Sequence, residues 1–244
     1  MYILRIALIV FCILPIYSVA VRADDDYAAA RQQMVEHINE VVLETAKYTD
    51  RTAFDPRVMQ VIGDTPRHLF VPKDQLDNAY TNRPLPIGYG QTISEPYVVA
   101  LMTELLQTQP GHRILEIGTG SGYQAAVLSP LVEHVYSIEI IDELGSKTTR
   151  LLDRLGYDNI DTRIADGYDG WPEQAPFDGI VVTAAISHIP PPLVAQLKNG
   201  GVMVIPVGTR FQTQQLTLVK KDMQGGITAR QILPVVFVPF TGGH

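Results

Sequence analysis

Apolar positions along this chain change their spacing at intervals, and each change predicts a different element. From 24 to 48 they recur at three- and four-residue steps (Met34, Val35, Ile38, Val41, Val42, Ala46), the period of an amphipathic helix. Asp55-Pro56 then supplies a cap and a first-turn residue for a second helix carrying Val58, Met59, Val61 and Ile62. Residues 71–92 are rich in Pro, Gly and Asn and read as loop with short extended pieces. A third helix, Tyr97–Leu106, is apolar over most of its surface, which predicts that it is packed rather than solvated.

Beyond residue 112 the pattern becomes short apolar runs at regular intervals. Strands are expected at 113–117, 134–138, 160–164, 178–183 and 202–207, with helical or loop segments between the first four. This alternation predicts an α/β fold of Rossmann-like type: a mostly parallel central sheet with helices on both faces, behind an N-terminal helical extension. Residues 215–220 and 230–238 add two further strands, expected as an antiparallel pair at the sheet edge. Right-handed crossovers bring the loops after the parallel strands to one end of the sheet. A ligand site is therefore expected around Gly118–Gly122, Glu139, Asp166 and Thr183–Ala185.

Composition narrows the function. The chain has 244 residues, 46% of them hydrophobic, enough for one good core and one domain. A formal charge of −7 argues against a nucleic-acid partner, which usually meets a basic face. Cys12 is the only cysteine, so an internal disulfide and a cysteine zinc site are both excluded. His37, His68, His112, His134, His188 and His244 are not paired at metal-ligand spacing, and no metal is expected. The N-terminus has its own character: Arg5, the uncharged run Ile6–Val21 interrupted by Pro15, then Ala23 and Asp24-Asp25-Asp26. Residues 1–23 resemble a secretory signal peptide or a membrane anchor.

The densest chemistry lies in Ile114-Leu115-Glu116-Ile117-Gly118-Thr119-Gly120-Ser121-Gly122, a strand that runs into alternating glycines. Such a loop lets the backbone approach a cofactor closely. Read one frame later, Gly120, Gly122 and Ala125 form the G-x-G-x-x-A of dinucleotide binders, so this segment alone leaves the cofactor open. Glu139 ends the second strand and suits two ribose hydroxyls, a device shared by NAD and S-adenosylmethionine proteins. Glu116 discriminates better: an acid there fits a cationic amino-acid tail and opposes a pyrophosphate. Asp166-Gly167 follows the third strand, where a short acid can reach an adenine amino group, although the pair is also an ordinary turn. No Tyr-x-x-x-Lys pair for hydride transfer occurs. The balance favours S-adenosyl-L-methionine.

The methyl acceptor depends on Ile87-Gly88-Tyr89-Gly90-Gln91-Thr92-Ile93-Ser94-Glu95-Pro96. No Asn/Asp-Pro-Pro-Tyr motif or nearby cysteine marks a base methylase; the fourth strand ends Val182-Thr183-Ala184-Ala185. Ser94 reads locally as the N-cap of the following helix, and the same geometry offers a hydroxyl and backbone N–H groups to a carboxylate. The chain resembles the protein-L-isoaspartate O-methyltransferases, a class I S-adenosylmethionine-dependent family. The likeness rests on Asp55–Pro72, on Leu85–Leu106 around Gly90-Gln91-Thr92-Ile93-Ser94, and on Ile114–Leu128. Phe177-Asp178-Gly179-Ile180, Gly200-Gly201, Ile205-Pro206-Val207-Gly208 and Phe237-Val238-Pro239 extend it, while Ile186-Ser187-His188 departs from it.

That resemblance implies methylation of isoaspartyl carboxylates in damaged peptides and proteins. It implies Ser94 as the active-site residue, with Gln91, Thr92 and Ile93 beside it at the substrate. Glu116, Gly118, Gly120, Gly122, Glu139, Asp166 and Gly167 would hold the cofactor. Residues 24–244 would form a single methyltransferase domain: 24–94 for the N-terminal helices and substrate loop, 95–210 for the cofactor-binding core, 211–244 for the C-terminal strands. A monomer is expected, touching a membrane only through an uncleaved residues 1–23. Family and cofactor supply imply the cytoplasm, whereas the signal-like segment points to the periplasm or an inner-membrane tether. The competing readings are another S-adenosylmethionine enzyme with a small carboxylate acceptor, a non-catalytic cofactor-binding protein and, third, an NAD oxidoreductase.

Overall fold

The helical spacing after residue 24 gives α1 (Ala28–Thr49), and Asp55-Pro56 starts α2 (Pro56–Asp64). The Asp55 carboxylate accepts the Arg57 N–H at 2.8 Å, as a cap should. The structure, a computed structural model, describes residues 26–209 and 213–242. The signal-like residues 1–23, with Cys12, and His244 lie outside the described residues.

Two short 3-10 turns lead to a small antiparallel hairpin, β1 (Leu85–Gly88) and β2 (Gln91–Ile93). Next comes α3 (Pro96–Leu106), every residue of which is buried. It lies between the main sheet and the α1–α2 layer, so it has no wet face and needs no polar stripe. The regular alternation then yields β3 (Arg113–Ile117), α4 (Tyr123–Leu128), β4 (His134–Glu139), α5 (Asp142–Leu155), β5 (Ile160–Ile164) and β6 (Phe177–Val182). It closes with α6 (Pro191–Gln196), β7 (Leu197–Val207), β8 (Gln214–Lys221) and β9 (Ile227–Val235).

These strands form one seven-stranded sheet in the order β5-β4-β3-β6-β7-β8-β9. The five from β5 to β7 are parallel, and β8 and β9 join antiparallel at the edge. From β3 the chain moves outward through β4 and β5, then returns to the other side of β3 as β6. The strand order therefore reverses between β3 and β6, and the crevice beyond their carboxyl ends is where such a sheet binds ligands.

Alternation along the strands decides which side chains reach that crevice. Leu115, Ile117, Tyr136 and Ile138 pack into one core layer, and Ile114 and Val135 into the other, against α3 and α4. Period two places Glu116, Ser137 and Glu139 on the α3–α4 side. The end of β9 departs from the expectation: the strand stops at Val235 and the chain turns to Ala185. The Ala185 N–H donates to the Val238 carbonyl and the Phe240 N–H to the Ala185 carbonyl, both at 2.8 Å. These bonds draw residues 236–240 off the edge and across the end of the sheet.

Candidate active site

The glycine loop is fixed from both sides. Gly118 and Thr119 N–H groups donate to the Ile138 carbonyl at 2.8 and 3.1 Å, tying the loop to the end of β4. Gly118 has φ +96°, and a Cβ there would run into the Thr183 hydroxyl. That hydroxyl donates to the Gly118 and Ile117 carbonyls at 2.7 and 3.0 Å, so the loop is also tied to the end of β6.

Glu139 organises the same loop. One carboxylate oxygen accepts the Gly120 N–H at 2.9 Å, and the other accepts the Ile140 and Ile141 N–H groups at 3.1 and 3.0 Å. A carboxylate offers about four acceptor sites, so acceptor capacity remains on the cleft side. Glu116 is fully buried. The Ser137 hydroxyl donates to its Oε2, while Oε1 is buried without a partner. Burial pushes its carboxyl up to about 8 against the pull of Ser137, with nearby Glu139 adding to the rise. Gln124 Oε1 is a second buried acceptor without a partner, on the same cleft. Two such acceptors in one wall suit a ligand with N–H donors, and a cationic ammonium would satisfy both.

An open cleft runs over these groups. Gln91, Thr92, Ile93 and Ser94 border it above the glycine loop; Glu116, Gly118, Gly120, Glu139 and Gly167 line its floor and far end. Gly122 only turns the chain into α4, at φ +85°. Asp166 departs from the sequence reading in position only: it does not line this cleft, and its Oδ1 accepts the Tyr168 N–H at 2.9 Å as the cap of a short turn. One such bond does not use up a carboxylate.

Ser94 is a second correction. The N-cap of α3 is Glu95, and no hydrogen bond holds the Ser94 side chain among the described residues. With Pro96 in the first turn, the helix starts one residue later than a Ser94 cap requires. The Tyr97 N–H is taken by Asn82 Oδ1 at 2.9 Å, which leaves the Ser94 hydroxyl as the donor facing the cleft. A second cleft, about 310 Å³, opens on the other side of Ser94 beside Leu233–Val238. Thr92, Ser94, Thr183 and Val238 belong to both clefts.

Two contributors were not assigned from sequence. Val238, Pro239, Phe240 and Thr241 close one side of the first cleft, where an apolar C-terminal run gave no sign of leaving the sheet. Arg67 is fully buried, donating to the Ala79 and Ser94 carbonyls at 2.8 Å each and lying 4.8 Å from the Tyr123 ring centre. Burial lowers its guanidinium to about 10, so it remains charged. Its only signal was its place in Pro66-Arg67-His68.

The raised Glu116 makes a stability prediction. With its folded value above the unfolded one, its contribution is complete below about 4.5 and is lost as pH rises to about 8. In the ligand-free protein, Glu116→Gln should therefore raise the melting midpoint by several degrees at pH 8 and by far less at pH 5. Equal shifts at both pH values would refute a protonated Glu116.

Comparison with known proteins agrees with this geometry. The family model described as protein-L-isoaspartate(D-aspartate) O-methyltransferase matches residues 36–244. Protein-L-isoaspartate O-methyltransferase 2 of Syntrophobacter fumaroxidans is 60% identical over 222 residues, covering 91% of this chain and 90% of its own. The Polaromonas protein of the same name is 61% identical over 209 residues, 86% of this chain and 99% of its own. A solved protein-L-isoaspartate O-methyltransferase superposes with a TM-score of 0.76 at 27% identity, covering 87% of this chain and 66% of that one. A Plasmodium falciparum structure in complex with S-adenosyl-L-homocysteine shares the fold, with a TM-score of 0.70 at 23% identity over 86% of this chain and 98% of that one.

Proposed function

Because this chain belongs to the protein-L-isoaspartate(D-aspartate) O-methyltransferase family, we propose that its reaction takes place at the wall shared by the two clefts, with Ser94 at the transfer point. The enzyme methylates the free α-carboxylate of L-isoaspartyl residues from S-adenosyl-L-methionine and so initiates their repair through a succinimide. The observation that carries the placement is the sharing of Thr92, Ser94, Thr183 and Val238 by both clefts. A donor in one and an acceptor in the other can meet only there.

The cofactor side is fitted by the orphan acceptors. Glu116 and Gln124 receive the ammonium, the free capacity of Glu139 takes the ribose hydroxyls, and Gly167 borders the adenine end with Asp166 holding its turn. Bound there, S-adenosyl-L-methionine supplies a methyl group activated by its sulfonium. Ser94 holds the substrate carboxylate, which is already ionised near neutral pH, so no general base is required. A neutral hydroxyl orients this weak nucleophile without quenching it as Lys or Arg would. Alignment of this kind is worth up to roughly 7–11 kcal/mol in well-oriented systems. Thr183 keeps the glycine loop in place beneath the transfer point.

Two peptides that differ only in Asp against isoAsp, incubated with methyl-labelled cofactor, test the reading. Base-labile label is expected on the isoAsp peptide alone; equal labelling would reopen the acceptor.

Among the described residues no helix is long and apolar enough to cross a membrane. Cofactor supply favours the cytoplasm, and the signal-like residues 1–23 favour the periplasm or an inner-membrane tether. Fusing residues 1–30 to a reporter active only after export should give no signal, and a strong signal would move the enzyme to the periplasm.

A further inference from the structure

The second cleft is neutral except at one point. Its wall combines the hydroxyls of Thr92, Ser94 and Thr183 with the apolar run Leu233–Val238, and among the described residues that line it Glu95 alone is charged. Glu95 occupies the N-cap position of α3, yet its carboxylate does not cap the helix. It makes no hydrogen bond or ion pair among the described residues. Burial raises its carboxyl above the usual range, and the buried Arg67 cation opposes that rise. Arg67 acts on Glu95 only through its charge, since its hydrogen bonds go to the Ala79 and Ser94 carbonyls. A half-buried acid directly beside Ser94, with acceptor capacity unspent, is placed to act on whatever flanks the reacting residue.

We propose that Glu95 sets the flanking-sequence preference of the enzyme, favouring peptides with a cationic side chain next to the isoaspartyl residue and disfavouring an acidic one. This rests on the reading that the second cleft takes the substrate peptide. Along an extended segment, side chains next to the reacting residue fall within a few ångströms of it, so a neighbouring Lys or Arg reaches Glu95 while the isoaspartyl carboxylate sits at Ser94. An acidic neighbour would put a second negative charge beside Glu95, with no cation among the described residues that line the cleft to relieve it. Attraction between partly buried opposite charges is strong enough to separate substrates and is weakened by salt.

The test is kcat/KM for three isoaspartyl peptides of one sequence whose flanking residue is Lys, Ala or Glu. At low salt the Lys peptide is expected to exceed the Glu peptide by about ten-fold, and the ratio should shrink toward about two-fold in 0.5 M salt. Glu95→Gln should bring the ratio to within about two-fold, and Glu95→Lys should invert it, as expected for a charge–charge effect. A general loss of activity moves all three peptides together and leaves the ratio intact, so an unchanged ratio in both variants overturns the proposal, as does a wild-type enzyme indifferent to the flank. Binding of S-adenosylhomocysteine, measured alongside, establishes that each variant is folded. If no peptide of any flank is methylated while that ligand binds, the functional reading itself has failed and takes this preference with it.

Discussion

Replacing Ser94 with alanine is expected to lower turnover by about 10- to 100-fold, the range of one lost hydrogen bond to a charged group. Cofactor affinity should hold within about two-fold, because the cofactor contacts assigned here lie elsewhere on the cleft. The separation follows from geometry. Ser94 borders both clefts, but no hydrogen bond holds its hydroxyl among the described residues, and its backbone is anchored independently by Arg67. The variant therefore leaves the wall standing and removes only the donor. Since Ser94 is not the cap of α3, the melting midpoint should stay close to that of the wild type. Steady-state kinetics, calorimetry with S-adenosylhomocysteine and a thermal melt check the three parts. Full turnover in Ser94→Ala would remove the serine from the reaction.

Glu139→Ala should show the opposite pattern, weakening cofactor binding by at least about 100-fold through the loss of roughly 3 kcal/mol of charge-assisted hydrogen bonding. Three backbone N–H groups converge on this carboxylate, one from the glycine loop and two from the start of the chain beyond β4. Without it, Gly120 loses its anchor and the ribose hydroxyls lose their acceptor together. Glu139→Gln sharpens the point: an amide presents one acceptor oxygen and an NH₂ where a second acceptor is needed, so either Gly120 or the Ile140–Ile141 pair faces a donor. It should bind little better than the alanine variant. Calorimetry with S-adenosylhomocysteine decides, and a dissociation constant unchanged by both substitutions would mean that the ribose lies elsewhere.

The parts of this protein legible in its sequence are those fixed by local periodicity. The four inner parallel strands, the mostly apolar α3 and the glycine turn each announce themselves because burial on two faces or a positive φ restricts residue choice. Glu116 and Glu139 stood out for a related reason, as acids at the ends of apolar strands, and both line the first cleft. What the sequence concealed depends on contacts between distant segments. Ser94 looked like a cap because serine before proline usually is one, yet the helix begins a residue later and Asn82 takes the Tyr97 N–H. Asp166 caps its own turn and does not itself line the cleft. The bend of residues 236–240 toward Ala185 has no local cause, since it is made by backbone bonds to a loop fifty residues earlier. Arg67 was invisible as a support for Ser94, because nothing in its neighbourhood says where its guanidinium goes.

A crystal structure with S-adenosylhomocysteine and an isoaspartyl peptide tests most directly whether two clefts, one for cofactor and one for peptide, meet at Ser94. The amino tail of the cofactor product is expected against Glu116 and Gln124, its ribose at Glu139, and the peptide carboxylate within hydrogen-bonding distance of the Ser94 hydroxyl, pointing at the sulfur. A peptide bound away from Leu233–Val238, or a carboxylate held by other groups with Ser94 unengaged, would contradict it.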